Sequence, residues 1–133
     1  MNKDYLFRVS LKAVIRNDQG ALLIVKEKGH RKWSLPGGGL DWDETYEQAM
    51  RRELYEEVGY QGEFTMKLIA ADDARPLKNR PVDTRQVRLI YEIIPENYEF
   101  SVGEESDGIA WVTADSLNEA EERYSRLVYT YMQ

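Results

Sequence analysis

Three glutamates, Glu53, Glu56 and Glu57, are spaced so that they could act together on one ligand. Residues three and four positions apart lie on the same face of an α-helix, so a helix here would present three carboxylates side by side. These like charges repel one another, and the C-terminal half of a helix disfavours anions. A bound cation removes both costs, and Mg²⁺ commonly bridges carboxylates to substrate phosphates. On its own such spacing is more often a solvated acidic face, so the flanking residues must decide between the two interpretations.

The flanking residues predict the helix that this spacing requires. Thr45 and Gln48 have the form of a capping box, and Gly59 is typical of the residue just past a helix end. We therefore predict a helix from Thr45 to Val58. Arg52, one turn before Glu56, can orient that carboxylate and reduce the repulsion. The apolar residues between the two ends recur at every fourth position and form one stripe: Tyr46, Met50, Leu54 and Val58.

The rest of the chain reads as strands around this helix, followed by a last helical region. The predicted strands are Leu6–Arg16, Ala21–Lys26, Phe64–Ala71, Gln86–Ile94 and Ile109–Val112. The turn Asn17–Gly20 predicts a hairpin between the first two strands, and Asp72–Arg85 is predicted to be a polar loop. Ser116 opens the last helical region. We expect one α/β domain over residues 1–133, with a mixed sheet covered by helices.

The stretch from Gly38 to Tyr60 resembles the Nudix box, G-x5-E-x7-R-E-U-x-E-E-x-G-U, where U is a bulky apolar residue. Leu54 fills the first U position, whereas Tyr60 stands where an aliphatic residue is usual. Trp33-x-Leu35-Pro36-Gly37 also resembles the approach to that box. The fixed positions of the box are matched in register by Gly38, Glu44, Arg52, Glu53, Glu56, Glu57 and Gly59.

The resemblance implies a Nudix-type α/β/α sandwich and a metal-dependent hydrolase. Nudix proteins cleave nucleoside diphosphates linked to another moiety, by attack of water on a phosphorus of the pyrophosphate with the help of Mg²⁺ or Mn²⁺. By position in the box, Glu56 and Glu57 are the first choices as metal ligands, and Glu53 is a further ligand or the general base. The Gly37 carbonyl has a metal-binding counterpart in the family.

The resemblance also assigns supporting roles within the box and beyond it. Arg52 is expected to orient the carboxylates, and Glu44 to tie the loop to the helix, with Gly38 and Gly59 as structural motif positions. Many family members use another acidic residue in a later loop as a ligand or base. Glu105 is our first choice for it. The alternatives are Glu104, Glu99 and Asp107.

Basic residues on both sides of the box could clamp the distal phosphates or a ribose of a substrate. Arg85 and Arg88 are preferred, because a strand entrance would hold them rigidly, and Arg31 is the choice before the box. The lone histidine, His30, is interpreted as an exposed loop residue. The other candidates are Lys26, Lys28, Lys32, Arg75, Lys78 and Arg80.

Composition limits the possible partners and compartments. The chain has 133 residues, 18 basic and 24 acidic, and a net charge of −6, which argues against stable binding to nucleic acid. It has no cysteine, which excludes thiol chemistry and fits a cytoplasmic protein. The longest apolar run has the five residues Ala21–Val25, so we expect no membrane span. The sequence leaves a homodimer open, through an exposed strand or the tyrosine-rich C-terminus.

Other functions have to be weighed against hydrolysis. One alternative is a non-catalytic Nudix-fold module that senses a nucleotide or binds a partner. Such modules usually have eroded carboxylates, whereas those of this chain are intact. Another is an acidic interaction protein in which the pattern is accidental. The sequence does not choose among a nucleoside triphosphate, ADP-ribose, a nucleotide sugar and a dinucleoside polyphosphate as the substrate.

Overall fold

The computed structural model describes residues 6–77, 79–80, 82–119 and 123–132, with the backbone alone for 74–77 and 117–119. Within these ranges there are two α-helices, α1 (Tyr46–Val58) and α2 (Arg126–Tyr131), and a 3₁₀ helix spans Ala114–Glu119. The strands in chain order are β1 (Leu6–Val14), β2 (Leu22–Glu27), β3 (Gly37–Gly39), β4 (Phe64–Leu77), β5 (Thr84–Pro95) and β6 (Ser106–Val112).

The strands form two sheets. The larger has the order β3-β1-β5-β4, in which β1 and β5 are parallel and the other neighbours antiparallel. The smaller is an antiparallel pair of β2 and β6. The predicted mixed sheet is therefore confirmed.

The predicted hairpin between the first two strands is wrong in its pairing. Asn17 makes the expected turn, with its side-chain Oδ1 accepting from the amides of Gln19 and Ala21 at 3.0 and 2.9 Å. Beyond it the two strands share only a bridge between Arg16 and Leu22, because β1 is flanked by β3 and β5 instead. Both edges of β1 are thus paired with strands that lie farther along the chain than β2, which leaves β2 free to pair with β6.

Strands β4 and β5 extend well into the predicted loop 72–85. The Arg88 guanidinium donates to both carboxylate oxygens of Asp72 at 2.8 Å, and Arg85 lies 3.3 Å from Asp73. These opposite charges face each other across the two strands. Such cross-strand pairs stabilise a polar extension of a hairpin, which a pattern of apolar residues does not reveal.

Helix α1 begins and ends as predicted. The Thr45 hydroxyl accepts from the Gln48 amide at 3.2 Å and the Gln48 side chain accepts from the Thr45 amide at 2.9 Å, a complete capping box. Gly59 ends the helix with φ 63°, a left-handed conformation that only glycine adopts without strain. The stripe prediction needs one correction: Met50, Leu54 and Val58 are buried, but Tyr46 is 48% exposed, since the helix has only just begun there.

The core has two layers, one on each side of the β-strands. Along β2, Leu23 and Val25 pack toward α1, whereas Leu22 and Ile24 pack toward α2, as expected for a strand buried on both faces. The last helical region is split between the 3₁₀ helix and α2, and Leu127 and Val128 of α2 are buried. The predicted α/β/α fold class is confirmed. In the part of the chain that is described, no helix is long and apolar enough to cross a membrane.

Candidate active site

Helix α1, strand β3, the end of β2 and the loop before β6 meet at a cleft of about 290 Å³. Five carboxylates from three segments line it. Lys28 and His30 lie on its rim, in the loop after β2. The lining residues are Glu27, Lys28, His30, Gly37, Gly38, Glu53, Glu56, Glu57 and Glu105.

The three helical glutamates point into this cleft but differ in burial. Glu57 is 2% exposed and Glu53 8%, whereas the Glu56 side chain is 39% exposed. The spacing of three and four residues places all three on the side of α1 that faces β3. Sequence and structure thus agree on where these side chains converge.

Arg52 is the centre of a network that holds the outer part of the cleft. Its Nε and Nη2 donate to the two carboxylate oxygens of Glu44 at 2.7 and 2.8 Å. Its Nη1 donates to Glu53 at 2.9 Å and to Glu56 at 3.3 Å, and Nη2 also reaches the Gly39 carbonyl at 2.9 Å. The Arg52 hydrogen bonds lower the pKa of Glu44 to about 2, and the same contacts raise the pKa of Arg52. This geometry supports the predicted tying role of Glu44 and the orienting role of Arg52.

The carboxyl group of Glu57 is held very differently. Its Oε2 accepts from the Gly37 amide at 2.8 Å, while its buried Oε1 has no hydrogen-bond donor among the described residues. The side chains within hydrogen-bonding reach, those of Glu53 and Glu27, are themselves carboxyl groups, so a bond between them requires a proton. Burial first, and these two neighbours next, raise the pKa of Glu57 far above its ordinary value. Partial burial also raises the pKa of Glu56.

The glycines of the box bring the backbone against these carboxylates. A Cβ on Gly38 would fall within 2.8 Å of the Glu53 carboxylate carbon, so any side chain there would displace Glu53. The carbonyl of Gly37, the predicted metal ligand, lies 3.4 Å from the ammonium of Lys12. The Gly37 amide therefore donates to the Glu57 carboxyl group, and the Gly37 carbonyl oxygen lies beside the Lys12 ammonium.

The oxygen donors fit a hard divalent ion, and one observation favours such an ion. A buried carboxylate oxygen without a donor is costly, and a cation with its waters would satisfy it. Within the described ranges, no three acidic or histidine side chains form a ready-made ligand group. Glu53 and Glu56 are instead turned toward Arg52, so holding an ion requires them to loosen those bonds.

The loop before β6 brings the predicted later acid to the cleft. Glu105 lines the cleft, and its amide donates to the Glu56 carbonyl at 3.0 Å. The preceding Gly103 amide donates to the Glu57 carbonyl at 3.1 Å, so the loop is fastened to the end of α1. Of the alternatives, Glu99 lines a different cavity, and Glu104 and Asp107 are not among the residues that line this cleft.

The predicted substrate-binding arginines lie outside the cleft lining. Arg88 and Arg85 make the β4–β5 pairs with Asp72 and Asp73, and Arg31 is exposed in the loop after β2. From that loop it is Lys28 and His30 that reach the cleft. The Arg75 side chain and the whole of Lys78 lie outside the described residues.

Sequence reasoning did not find Glu27, which the structure brings into the cleft. The signal was present: Leu23, Val25 and Glu27 alternate along one strand, so Glu27 continues the row that faces α1. The interpretation of His30 as an exposed loop residue is confirmed, since its side chain is 64% exposed. The structure adds that His30 lines the cleft, 3.5 Å from Glu27.

The chain was compared with known families and proteins. The NUDIX domain family model matches residues 6–131. The chain is 37% identical over 128 residues to the nucleoside triphosphatase NudI of Enterobacter sp. (strain 638), a match covering 88% of this chain and 90% of the relative. A shorter match, 42% identical over 67 residues, links it to an RNA pyrophosphohydrolase of Psychrobacter sp. (strain PRwf-1) and covers 50% of this chain and 39% of that protein.

Solved structures show the same fold. A MutT NUDIX hydrolase from Burkholderia pseudomallei aligns with a TM-score of 0.73 and 26% identity, over 95% of each chain. A MutT protein from Methanosarcina mazei Go1 aligns with a TM-score of 0.74 and 20% identity, over 98% of this chain and 94% of that one. The family match, the full-length relative and the shared fold agree with the box residues gathered in the cleft, and the chain belongs to the NUDIX family.

Proposed function

We propose that this protein is a pyrophosphohydrolase that uses Mg²⁺ or Mn²⁺ to cleave the phosphoanhydride of a nucleoside triphosphate. The observation that carries the proposal is the convergence of Glu53, Glu56, Glu57 and Glu105 on one cleft, with the buried Oε1 of Glu57 lacking a donor. A pyrophosphate repels an attacking hydroxide, so a site for its hydrolysis needs positive charge and a base together.

The proposed ion ligands are Glu56, Glu57 and the Gly37 carbonyl, with Glu53 as a further ligand or as the base. A bound divalent ion supplies positive charge against the oxygens of the pyrophosphate. Arg52 holds Glu53 and Glu56 in position through bonds of 2.9 and 3.3 Å. Lys28 and His30 on the rim can contact a terminal phosphate.

The proposed reaction is an attack of water on phosphorus. The water oxygen forms a bond to phosphorus, the bridging P–O bond breaks, and a carboxylate accepts the proton of the water. Glu53 and Glu105 are the two candidates for that carboxylate, because both line the cleft. A nucleoside triphosphate is then split into two phosphorylated products without any covalent intermediate on the protein.

The choice of a nucleoside triphosphate comes from the NudI relative, which matches over nearly the full length of both chains. The RNA pyrophosphohydrolase match covers only half of this chain, and the net charge of −6 disfavours RNA as the substrate. Arg85, Arg88 and Arg31 are retained as proposed contacts for the distal phosphates. Changing Arg88 to Gln is then expected to raise KM while kcat is unchanged.

The test is a panel of substrates assayed with Mg²⁺ and with Mn²⁺ in ¹⁸O-labelled water. The panel contains nucleoside triphosphates, ADP-ribose, a nucleotide sugar, a dinucleoside polyphosphate and a 5′-triphosphorylated oligoribonucleotide. We expect the highest kcat/KM for a nucleoside triphosphate, with ¹⁸O in one product only, and a loss of turnover in Glu53→Gln. Unchanged turnover in Glu53→Gln, or ligand binding without turnover when the metal is present, would contradict the proposal.

A further inference from the structure

Glu27 is the last residue of β2, and it reaches the cleft from the side opposite α1. The pairing of β2 with β6 shifts register between Lys26 and Glu27, which pair with Gly108 and Ser106. The extra residue, Asp107, is in β6, so the alternation of side chains along β2 continues unbroken to Glu27. Strand β2 thus adds the carboxylate of Glu27 to those that α1 and the loop before β6 bring to the cleft.

The contacts of Glu27 leave its carboxylate weakly satisfied. Its Oε1 lies 3.9 Å from the Lys12 ammonium and its Oε2 lies 3.5 Å from Nε2 of His30. Both distances exceed those of good charge-assisted hydrogen bonds, which are about 2.7–2.9 Å. The carboxyl group of Glu57 also lies within hydrogen-bonding reach of Glu27.

Glu57 provides the independent sign of a missing ligand. The residue is 2% exposed, it lines the cleft, and its Oε1 has no donor. Two carboxyl groups from different segments, Glu27 from β2 and Glu57 from α1, therefore lie against each other with no donor at that oxygen. A divalent ion that prefers several oxygen ligands would satisfy both groups together.

The outer part of the cleft already has its own cation. Arg52 donates to Glu44, Glu53 and Glu56 at 2.7 to 3.3 Å. Among the described residues, the inner pair has no charged donor at such distances: the Lys12 ammonium lies 3.9 Å from Glu27 Oε1, and the short bond to Glu57 Oε2, at 2.8 Å, comes from the neutral Gly37 amide. The carboxyl oxygens that lack a short bond from a cationic side chain are thus on the side of Glu27 and Glu57.

We propose that Glu27 is a further oxygen ligand of the divalent-ion site, supplied by the sheet and lying outside the sequence motif. The inference rests on the proposed function, because it assumes that the cleft holds such an ion. It adds a ligand from a strand to those from the helix and the glycine backbone. It also predicts that ion binding and the packing of β2 against α1 are coupled.

The experiment measures Mn²⁺ binding to the full chain, without nucleotide, from the electron paramagnetic resonance signal of free Mn²⁺. The proteins are the wild type, Glu27→Gln, Glu56→Gln and the control Glu47→Gln, whose side chain is exposed in the first turn of α1. Glu27→Gln should weaken Mn²⁺ binding by roughly tenfold or more, as the loss of groups around metal sites generally does. The control should bind like the wild type.

A second readout separates a ligand from a merely structural group. In EDTA, Glu27→Gln should melt no lower than the wild type, because the ionic contacts that it loses, to Lys12 and His30, are long, at 3.9 and 3.5 Å. The rise in melting temperature on adding Mn²⁺ should be smaller in the variant, because weaker binding stabilises the folded state less. A group needed only for packing would lower the melting temperature in EDTA and leave the Mn²⁺-dependent rise unchanged.

The outcomes distinguish this inference from the proposed function. If Glu56→Gln weakens Mn²⁺ binding and Glu27→Gln does not, the Glu27 inference is overturned and the proposed function stands. If the wild type binds no Mn²⁺, both are overturned. Should Glu27→Gln not fold, Glu27→Asp replaces it: withdrawing the carboxylate by one methylene should weaken binding severalfold, and wild-type affinity would overturn the inference.

Discussion

The Arg52 network and the Glu57 carboxyl group lie in the same cleft, yet they are held in opposite ways. Around Arg52 each carboxylate has a charged donor, and the pKa of Glu44 is lowered to about 2 by its hydrogen bonds to Arg52. Around Glu57 the neighbours are carboxyl groups, one oxygen has no donor, and burial raises the pKa. The same short motif thus contains glutamates whose hydrogen bonds to Arg52 stabilise the fold and one, Glu57, whose buried carboxyl group destabilises it.

This difference teaches how to tell the two kinds of glutamate apart. A carboxylate that serves the fold is expected to be paired in the protein alone, because an unpaired buried charge is destabilising. A buried carboxylate whose partner is an ion, such as Glu57, lacks a donor at one oxygen in the described protein and gains its partner on binding. Glu53 and Glu56 are proposed ligands of another kind, because they have to exchange Arg52 for the ion. The following three predictions are meant to break or sharpen this distinction.

The largest effect is expected from Glu57→Gln. With Mg²⁺ and a nucleoside triphosphate, kcat/KM should fall by roughly 10² to 10³, the range found for losing one electrostatic stabilising group at an active site. In EDTA at pH 8 the variant should be at least as stable to urea as the wild type. The reason is that a raised pKa means that ionisation of this group favours the unfolded chain, and Gln cannot ionise. Reduced stability in EDTA would contradict the distinction.

The next effect concerns Arg52 and its neighbour Arg51. Arg52→Met should lower the free energy of unfolding by about 2 kcal/mol, because it leaves partly buried carboxylates unpaired. Arg51→Met is the matched control: Arg51 pairs with Glu63, whose side chain is 76% exposed, and such surface pairs contribute about 0.5 kcal/mol. Urea unfolding in EDTA measures the free energy of unfolding of both variants. Equal decreases would show that the Arg52 network stabilises the protein no more than an exposed surface pair does.

The smallest effect is a change in acid stability. The lowered pKa of Glu44 means that its stabilising contribution is complete above pH 4.5 and is lost as the pH falls toward 2. Glu44→Gln should therefore be less stable than the wild type at pH 7, and the two should converge as the pH approaches 2. Urea midpoints measured across that window test it, and a difference that stays constant with pH would rule out the Arg52 pair as its cause.

The parts of the fold and site that the sequence predicted are those determined locally. The capping box, the helix and the face shared by Glu53, Glu56 and Glu57 all depend on residues within one turn or a few turns of each other. The family match then confirmed the resemblance and the fold class. Nothing beyond the motif was needed to expect the three glutamates in one place.

The parts that were missed depend on pairing between distant segments. The partners of β1 are β3 and β5, the latter more than 70 residues away, so the turn after β1 misled the prediction of a hairpin. Glu27 enters the cleft only because β2 packs beside α1, and Arg88 turns to Asp72 only because β4 and β5 are long. Such placements follow from the tertiary fold, and spacing along the chain does not determine them.

The amides of Gly103 and Glu105 donate to the last carbonyl groups of α1, at 3.1 and 3.0 Å. The segment that carries Glu105 is therefore fixed to the end of α1 by backbone hydrogen bonds and is not an independently moving loop. Its amides should exchange with deuterium as slowly as those of the last helical turn. If this segment were grafted into a relative, the two backbone hydrogen bonds to the helix end would have to be reproduced. Without them, the distance of the acidic side chain from Glu56 would not be fixed.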